Sequence, residues 1–372
     1  MNTINSTYAG RPGNRPRCAG WFFLTVSRLE RLADDTVAVT LHVPTDLATV
    51  FAVAPGQHVT IRHRHSSGDE LRRTYSLCPP PFDSGALRLV IRRRSPDGFG
   101  AYALSSLSVG DHLELAPPAG AFGLPEVRSA HHLMIAGGTG ITPLAAMAAA
   151  ALRDVPDCRV SIIHVVRTAA QALLADELAA LKDAFMDRFT VLYVLSREQR
   201  ESGPLTGRID AKKFLTLLNV LDARPHDTTF SLCGPWGLME VVLWALTAWG
   251  ARPDRVRAEL FWASARPLGS GAQAAAAVRP ARQFRAVIGG RSTLVPMESH
   301  DRVLLDALLR ARPEAPYACR NGVCGSCRAK VTSGHVTLGP QHALDAHDIA
   351  AGYTLACCAW PSTDNLTLDF DV

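Results

Sequence analysis

The chain has no uninterrupted apolar run of membrane-spanning length. The nearest approach, Leu133 to Leu152, carries no charge, but three glycines and a proline break it. That interruption predicts a buried strand, turn and helix rather than a span. The opening residues, MNTINSTYAGRPGNRPR, lack the apolar core of a secretory signal, and their Gly and Pro content works against a transit helix. Residues 1–19 are therefore expected to be a flexible tail. A complete disulfide framework is also missing, because nine cysteines cannot all pair. Without a signal they point to a reducing compartment and a cytoplasmic protein with thiols free for metal. Neither sign of charge dominates, the net value being +5. The basic clusters Arg62-His63-Arg64-His65 and Arg92-Arg93-Arg94 come without a nucleic-acid motif or interleaved aromatics. They read as solvated faces or cofactor phosphate contacts, and neither nucleic acid nor membrane is expected as a partner. There is no repeat at solenoid periods.

From Trp21 to about Phe122, short runs alternate apolar and polar residues (FFLTVSRLE, TVAVTLHV, HVTIRH, LRLVIRRR, HLELAP) between Gly, Pro, Asp and Ser clusters. This predicts an antiparallel β-barrel. Within it, Arg73-Thr74-Tyr75-Ser76 follows the strand GQHVTI. Such a strand tip suits a phosphate and a flat ring together; an ordinary strand with Tyr75 in the core is the alternative. VIRRRSPDGFGAYAL offers a glycine-bearing turn and a helix start, either a nest of N–H groups for a pyrophosphate or a simple loop.

From His131 strands and helices alternate: LMIAGGTGITP, an Ala-rich helix, VSIIHVVRT, a helix to Phe185, TVLYVLSRE and FSLCGP. This order implies a parallel sheet with helices on both faces. GGTGITP is not G-x-G-x-x-G, yet it follows a strand and opens a helix, where backbone approaches a dinucleotide phosphate; a tight packing turn is the alternative. Residues 265–282 read as a linker, with room for one helical turn at the alanines. QFRAVIGGRSTLVPM predicts a hairpin turning at Gly289-Gly290, and Asp301 to Ala311 a helix with Pro313 beyond it.

Cys319, Cys324 and Cys327 form C-x4-C-x2-C, and Cys357 follows after 29 intervening residues. Plant-type 2Fe-2S centres have this spacing. Gly322, Gly325 and Ser326 suit a loop that brings backbone N–H groups close to sulfur. Structural zinc is the alternative, although zinc ribbons pair two short C-x2-C hooks. Cys357 and Cys358 are adjacent, and only one can point inward from an extended segment.

Residues 283–372 resemble a plant-type ferredoxin domain, whose L-x-C pattern favours Cys357 as the fourth ligand. Upstream, RxYS, GGTGITP, CGP and a Glu-x-aromatic ending, in that order, resemble the ferredoxin-NADP reductase superfamily. With the ferredoxin domain the chain is similar to reductase components of multicomponent oxygenases. WFFLTVSRLE, PGQHVTI, ELRRTYSLC and GRID make it most similar to the reductases of the phenylacetyl-CoA monooxygenase type. The implied architecture is multidomain: an antiparallel β-barrel flavin domain (20–127), an α/β parallel-sheet nucleotide domain (128–264), the linker, and an α+β β-grasp iron-sulfur domain (283–372).

The resemblance also implies roles. Arg73, Thr74, Tyr75 and Ser76 would bind FAD, with Tyr75 against the isoalloxazine and Ser76 near its N5. Val90, Ile91 and Arg92 would line the flavin, and Gly98, Phe99 and Gly100 form the pyrophosphate turn. Gly100 stands where a serine or threonine is common, so one hydroxyl contact to phosphate is expected to be missing. Gly137, Gly138, Thr139, Gly140, Ile141, Thr142 and Pro143 match the nicotinamide-dinucleotide turn; Cys233, Gly234 and Pro235 match the motif beside the nicotinamide ring. Cys233 reads equally as a small buried hydrophobe and not as a nucleophile. Glu259 and Phe261 match the Glu-x-aromatic end, Phe261 covering the flavin until nicotinamide stacks. Arg167, Ser196 and Arg197 suit the 2'-phosphate of NADPH, with NADH the alternative coenzyme.

A hydride donor supplies two electrons and a 2Fe-2S centre takes one, so a flavin is expected between them. The chain shows no haem signature and no two-His-carboxylate set for oxygen activation. The expected acceptor is therefore an oxygenase component, a diiron acyl-CoA or aromatic-ring hydroxylase. A Rieske oxygenase or a hybrid-cluster protein is the alternative acceptor, and a redox-sensing regulatory protein is the rival from another class. Residues 283–372 carry eight Lys/Arg against nine Asp/Glu, near neutrality, and Arg320 and Arg328 flank the cluster loop as candidates to meet an acidic partner.

Overall fold

The computed structural model describes residues 20–64, 70–78, 85–125, 129–198, 203–261, 283–341, 343–344 and 346–372. The expected tail (1–19) and linker (265–282) lie outside the described residues.

Period-2 alternation in the first third produces strands β1 (Phe22–Ala33), β2 (Thr36–His42), β3 (His58–Arg64), β4 (Glu70–Cys78), β5 (Ala86–Arg92) and β6 (His112–Leu115). They close into an antiparallel barrel in the order β1-β2-β5-β4-β3-β6, which leaves no edge unpaired. Leu24, Val26, Val39, Ile61, Leu89, Ile91 and Leu115 fill it, and helix α1 (Phe99–Ser105) adds Phe99 and Ala103 to the same core.

The middle third folds as β7 (His131–Gly137), α2 (Ile141–Asp154), β8 (Arg159–Val166), α3 (Ala175–Ala184), β9 (Phe189–Leu195), α4 (Ala211–Val220), β10 (Thr228–Gly234), α5 (Trp236–Trp249) and β11 (Val256–Leu260). Every strand pair is parallel, in the order β11-β10-β7-β8-β9. β7 and β10 are buried along their whole length, as strands covered on both faces must be. α2 and α3 cover one face and α4 and α5 the other. The uncharged run Leu133 to Leu152 is thus strand, turn and helix, and no helix among the described residues is long and apolar enough to cross a membrane. The strand order reverses between β7 and β10, so a crevice opens at their carboxyl ends. On its other side α2 packs against the barrel: Ala38, Cys78, Val90 and Phe122 share a core with Leu144 and Ala148.

The last third contains β12 (Gln283–Ile288), β13 (Arg291–Pro296), α6 (Leu304–Ala311), β14 (Arg328–Ser333), β15 (Val336–Leu338), α7 (Ala346–Ala350), β16 (Tyr353–Leu355), β17 (Ala359–Pro361) and β18 (Thr367–Asp369). Its main sheet runs β13-β12-β18-β14-β16, with β15 paired to β17. The hairpin turns at Gly289-Gly290, both at positive φ. The helix expected from Asp301 begins instead at Leu304. Asp301 accepts the Glu298 amide at 2.7 Å and an Arg310 guanidinium nitrogen at 2.8 Å, so its side chain closes a turn ahead of the helix.

Three histidines are buried in the nucleotide domain. His131 Nε2 meets Ser161 Oγ at 2.9 Å, His132 Nδ1 meets Thr229 Oγ1 at 2.6 Å, and His164 Nε2 meets the Gly138 carbonyl at 3.2 Å. Burial lowers each to about 4 from its ordinary value of 6.5. On acidification the unfolded chain therefore takes up these protons first, and stability falls with pH between about 6.5 and 4. Glu259, pushed by burial up to about 8, contributes the opposite slope, but from one proton against three. Each histidine accounts for roughly 3 kcal/mol at the full shift. Urea unfolding at pH 7 and pH 4.5 is expected to show a marked loss of stability at the lower pH, and a smaller loss in a His132→Asn variant.

Candidate flavin, nicotinamide and iron-sulfur sites

On β4 the pleat buries Ser76 and exposes Arg73, with Thr74 and Tyr75 between these extremes. Tyr75 lies beside the barrel core, its ring 6.0 Å from that of Phe99. Burial pushes its phenol above the ordinary range, with Arg73 and Arg94 acting against that shift. Arg73 folds back so that its guanidinium donates to the Arg72 carbonyl at 2.8 Å. On β5, Val90 and Ile91 diverge: Ile91 enters the barrel, whereas Val90 faces α2. Arg92 is paired with Asp35 at 2.7 Å.

The turn before α1 uses its backbone. Phe99 is only 1% exposed, so it offers no side chain to a ligand. The glycine at position 100 has a packing cause: a Cβ there would lie 2.6 Å from the Arg92 carbonyl oxygen and 2.9 Å from Arg93 Cα. A serine is excluded by the backbone of β5, and with it the hydroxyl contact.

At the strand-order reversal, the end of β7 meets the end of β10, Ala136 pairing with Cys233. Of the turn that matches the dinucleotide motif, Gly138 and Thr139 are half-buried, while Gly137, Gly140, Ile141, Thr142 and Pro143 are buried and hold its shape. Thr142 Oγ1 donates to the Thr139 carbonyl at 3.0 Å. Pro235 is exposed and Gly234 buried. Cys233 is fully buried, and burial, with Glu259 second, pushes its thiol well above the ordinary range. A neutral thiol beneath the surface is no nucleophile. The ends of β8 and β9 bring Arg167, Ser196 and Arg197 together: the Ser196 amide donates to the Val166 carbonyl at 2.8 Å and the Arg197 amide to the Arg167 carbonyl at 2.9 Å. Both guanidiniums are exposed, and among the described residues neither makes an ion pair. Arg167 also lies within electrostatic reach of Arg94, which links this cationic rim to the barrel.

The four cysteines come together in two pairs. Cys319 hydrogen-bonds Cys324, and Cys327 hydrogen-bonds Cys357. Backbone N–H groups point at these sulfurs: those of Asn321 and Cys324 reach Cys319 Sγ at 3.4 Å, and that of Ser326 reaches Cys324 Sγ at 3.5 Å. The thiols of each pair shift in opposite directions, Cys324 and Cys357 down and Cys319 and Cys327 up, because one sulfur of each pair accepts the other's proton. Gly322 sits at φ +68°, and a Cβ there would meet Cys358 Sγ at 2.7 Å, so the loop closes only on glycine. Among the described residues no three His, Cys, Asp or Glu side chains gather to hold one metal ion. Paired thiols with backbone amides aimed at Cys319 and Cys324 suit an iron-sulfur cluster, which these four cysteines would hold. Cys358 is also buried, 3.6 Å from Cys357 Sγ.

Glu259 and Phe261 stand where the domains meet. Phe261 packs on the core shared by α2, Val90 and Cys233. Glu259 pairs in register with Cys233, and its buried Oε2 has no hydrogen-bond partner among the described residues. Burial raises its carboxyl, and the charge of Cys324 adds to the rise. The neighbouring Val323 packs on the core of the nucleotide domain. Several of these participants went unnoticed in the sequence. His164, buttressing Gly138, reads there as one polar residue in an apolar strand, and Asp35, anchoring Arg92, as half of an acidic turn. Both arginines that flank the loop have partners within the chain: Arg320 lies 3.8 Å from Asp306 and 4.9 Å from the centre of the Tyr317 ring, and Arg328 pairs with Asp348 at 2.6 Å and lies 3.6 Å over the Tyr353 ring.

Three family models match: the oxidoreductase FAD-binding domain over residues 24–123, the oxidoreductase NAD-binding domain over 134–243 and the 2Fe-2S iron-sulfur cluster binding domain over 287–362. The chain is 34% identical to one component of the 1,2-phenylacetyl-CoA epoxidase of Escherichia coli K12, over 94% of this chain and 97% of that one. It is 32% identical to the ferredoxin reductase component of 3-ketosteroid-9-alpha-monooxygenase from Rhodococcus rhodochrous, over 93% and 96%. Phthalate dioxygenase reductase has the same fold, with a TM-score of 0.57 and 23% identity over 95% of this chain and 99% of that one. The chain thus belongs to the ferredoxin-NADP reductase superfamily, in the branch of oxygenase reductases whose FAD- and NAD-binding domains are joined to a C-terminal plant-type 2Fe-2S domain.

Proposed function

We propose that this protein is the electron-transfer reductase of a multicomponent oxygenase, drawing on NADPH and serving a diiron acyl-CoA or aromatic-ring hydroxylase. The observation that carries the reading is the convergence on β11: the nicotinamide-side Cys233, the flavin-side Phe261 and the cluster ligand Cys324 all lie around this one strand. The names of two relatives, an epoxidase acting on phenylacetyl-CoA and a ketosteroid monooxygenase, support an oxygenase as acceptor. A Rieske oxygenase or a hybrid-cluster protein is the alternative.

Bound FAD would supply the conversion the chain needs, accepting a hydride's two electrons and passing them singly to a one-electron cluster. The chain's residues supply the positions. Arg73, Tyr75 and Ser76 hold the flavin from the barrel, and the amides around Gly98 to Gly100 take its pyrophosphate. Gly138 and Thr139 receive the dinucleotide at the switch point, while buried Cys233 and Pro235 shape the nicotinamide floor. Phe261, packed on the core beside Val90 and Cys233, would cover the flavin until the nicotinamide ring takes its place. Glu259, kept protonated by burial up to about pH 8, has a proton to offer beside the flavin. Cys319, Cys324, Cys327 and Cys357 hold the cluster.

Arg167, Ser196 and Arg197 would grip the 2'-phosphate that distinguishes NADPH. A hydrogen bond to a charged group contributes about 1.5–3 kcal/mol, so Arg197→Ala is expected to raise KM for NADPH by about tenfold to a hundredfold. KM for NADH should stay as it is. Equal effects on the two coenzymes would count against this selectivity.

Cys357→Ala is expected to abolish the cluster, whereas Cys358→Ala keeps it, as iron and sulfide content and the EPR signal of the reduced protein would report. Retention of the signal in Cys357→Ala would make Cys358 the ligand instead. Anaerobic mixing of the NADPH-reduced protein with purified candidate oxygenases tests the acceptor; failure to reduce a diiron component that a Rieske component outcompetes would reverse the assignment.

A further inference from the structure

Arg72 precedes the flavin motif by one residue, yet it faces the other way. Its side chain is 3% exposed, and a guanidinium is so costly to bury that it must be matched on every side. Nε donates to Glu70 Oε1 at 2.7 Å, and Nη1 donates to the Ala315 carbonyl at 3.1 Å, across 243 residues of sequence. Its plane lies 4.2 Å from the centre of the Tyr317 ring and 5.0 Å from that of Trp21. Glu70 also faces Arg62, which stacks on Trp21 at 4.3 Å and is paired with Glu114. Trp21, Arg62, Glu70 and Glu114 belong to the barrel; Ala315 and Tyr317 belong to the iron-sulfur domain.

These contacts have a direction. Tyr317 stands two residues before Cys319, so Arg72 grips the cluster loop where it begins. The far side of that loop, at Val323 and Cys324, rests against the nucleotide domain near Glu259. On the same strand as Arg72, Tyr75 and Ser76 are three and four residues away, about 10 and 13 Å at the usual strand rise. A single stretch of β4 therefore carries both the flavin-side groups and the grip on the cluster loop. A planar guanidinium packed against two aromatic rings restricts rotation as well as separation, which a lysine does not.

We infer that Arg72 is a positioning residue for internal electron transfer: by clamping Ala315 and Tyr317 to the barrel it sets the distance between the flavin site and the cluster, and so the rate of electron passage between them. Its hydrogen bonds and ring contacts are to Glu70, Ala315, Trp21 and Tyr317. The inference rests on the reading that electrons pass from flavin to cluster within this chain.

The holoprotein is mixed anaerobically with NADPH in a stopped-flow instrument, following flavin bleaching and then cluster bleaching as separate phases. In Arg72→Gln the first phase is expected to keep its wild-type rate and the second to slow several-fold, with cluster potential and EPR signal unchanged. Ferricyanide reduction, which the flavin can support directly, should hold while cytochrome c reduction falls. Tyr317→Ala should reproduce the defect from the other side of the boundary, and it carries the test if Arg72→Gln loses flavin or iron. Tyr317→Phe, which keeps the ring, should be normal. A wild-type second phase in both Arg72→Gln and Tyr317→Ala would overturn the proposal alone. A wild-type protein whose cluster never bleaches after its flavin would overturn the electron path and the proposal with it.

Discussion

The edge strand β11 is five residues long, and three domains depend on where it lies. It pairs on one side with β10, which sets Glu259 level with Cys233 at the nucleotide crevice. Leu260 enters the core beneath, Phe261 turns towards the barrel, and the cluster loop rests near Glu259. Electron carriers work only within short reach of one another, and here each is built by a different third of the chain. The fold meets that constraint by ending the parallel sheet where barrel and iron-sulfur domain come together. Glu259 is the polar cost of that convergence: a carboxyl with one buried oxygen left unpartnered among the described residues, tolerated because burial keeps it protonated.

The two ends of the electron path are built on different physical terms. In the cluster loop, local backbone does the holding: the amides of Asn321 and Cys324 point at Cys319 Sγ, and that of Ser326 points at Cys324 Sγ. At the nucleotide crevice the turn is held by long-range packing, with His164 from β8 under Gly138 and β10 alongside β7. A loop whose interactions are local writes its requirements into its own spacing, whereas a packed turn shares them with distant strands.

This difference explains what could be read from residues alone. The cysteine ladder, the Gly289-Gly290 hairpin and the alternation of β1, β2, β3, β5 and β6 are local features, and the sequence shows them directly. The two arginines of LRRTYS look alike in one dimension; the pleat of β4 and an aromatic ring some 240 residues away decide that Arg72 is buried and Arg73 exposed. Arg320 and Arg328 likewise flank the loop in sequence, but only the fold shows their partners, Asp306 and Tyr317 for the first and Asp348 and Tyr353 for the second. The early helix start at Asp301 failed because a side chain that caps a helix equally well closes a turn. Gly100 departs from the family pattern for a reason visible only when the carbonyl of Arg92 is placed against it.

The last strand of the iron-sulfur domain, β18, lies in the middle of its sheet, parallel to β12 and antiparallel to β14. Until synthesis has passed Asp369, β12 and β14 have no common neighbour, and the hydrophobic floor under the cysteine loop, which includes Leu366, Leu368 and Phe370, is incomplete. The floor beneath the cysteine loop is thus completed by the strand that comes last in the domain, after the barrel and the parallel sheet in chain order.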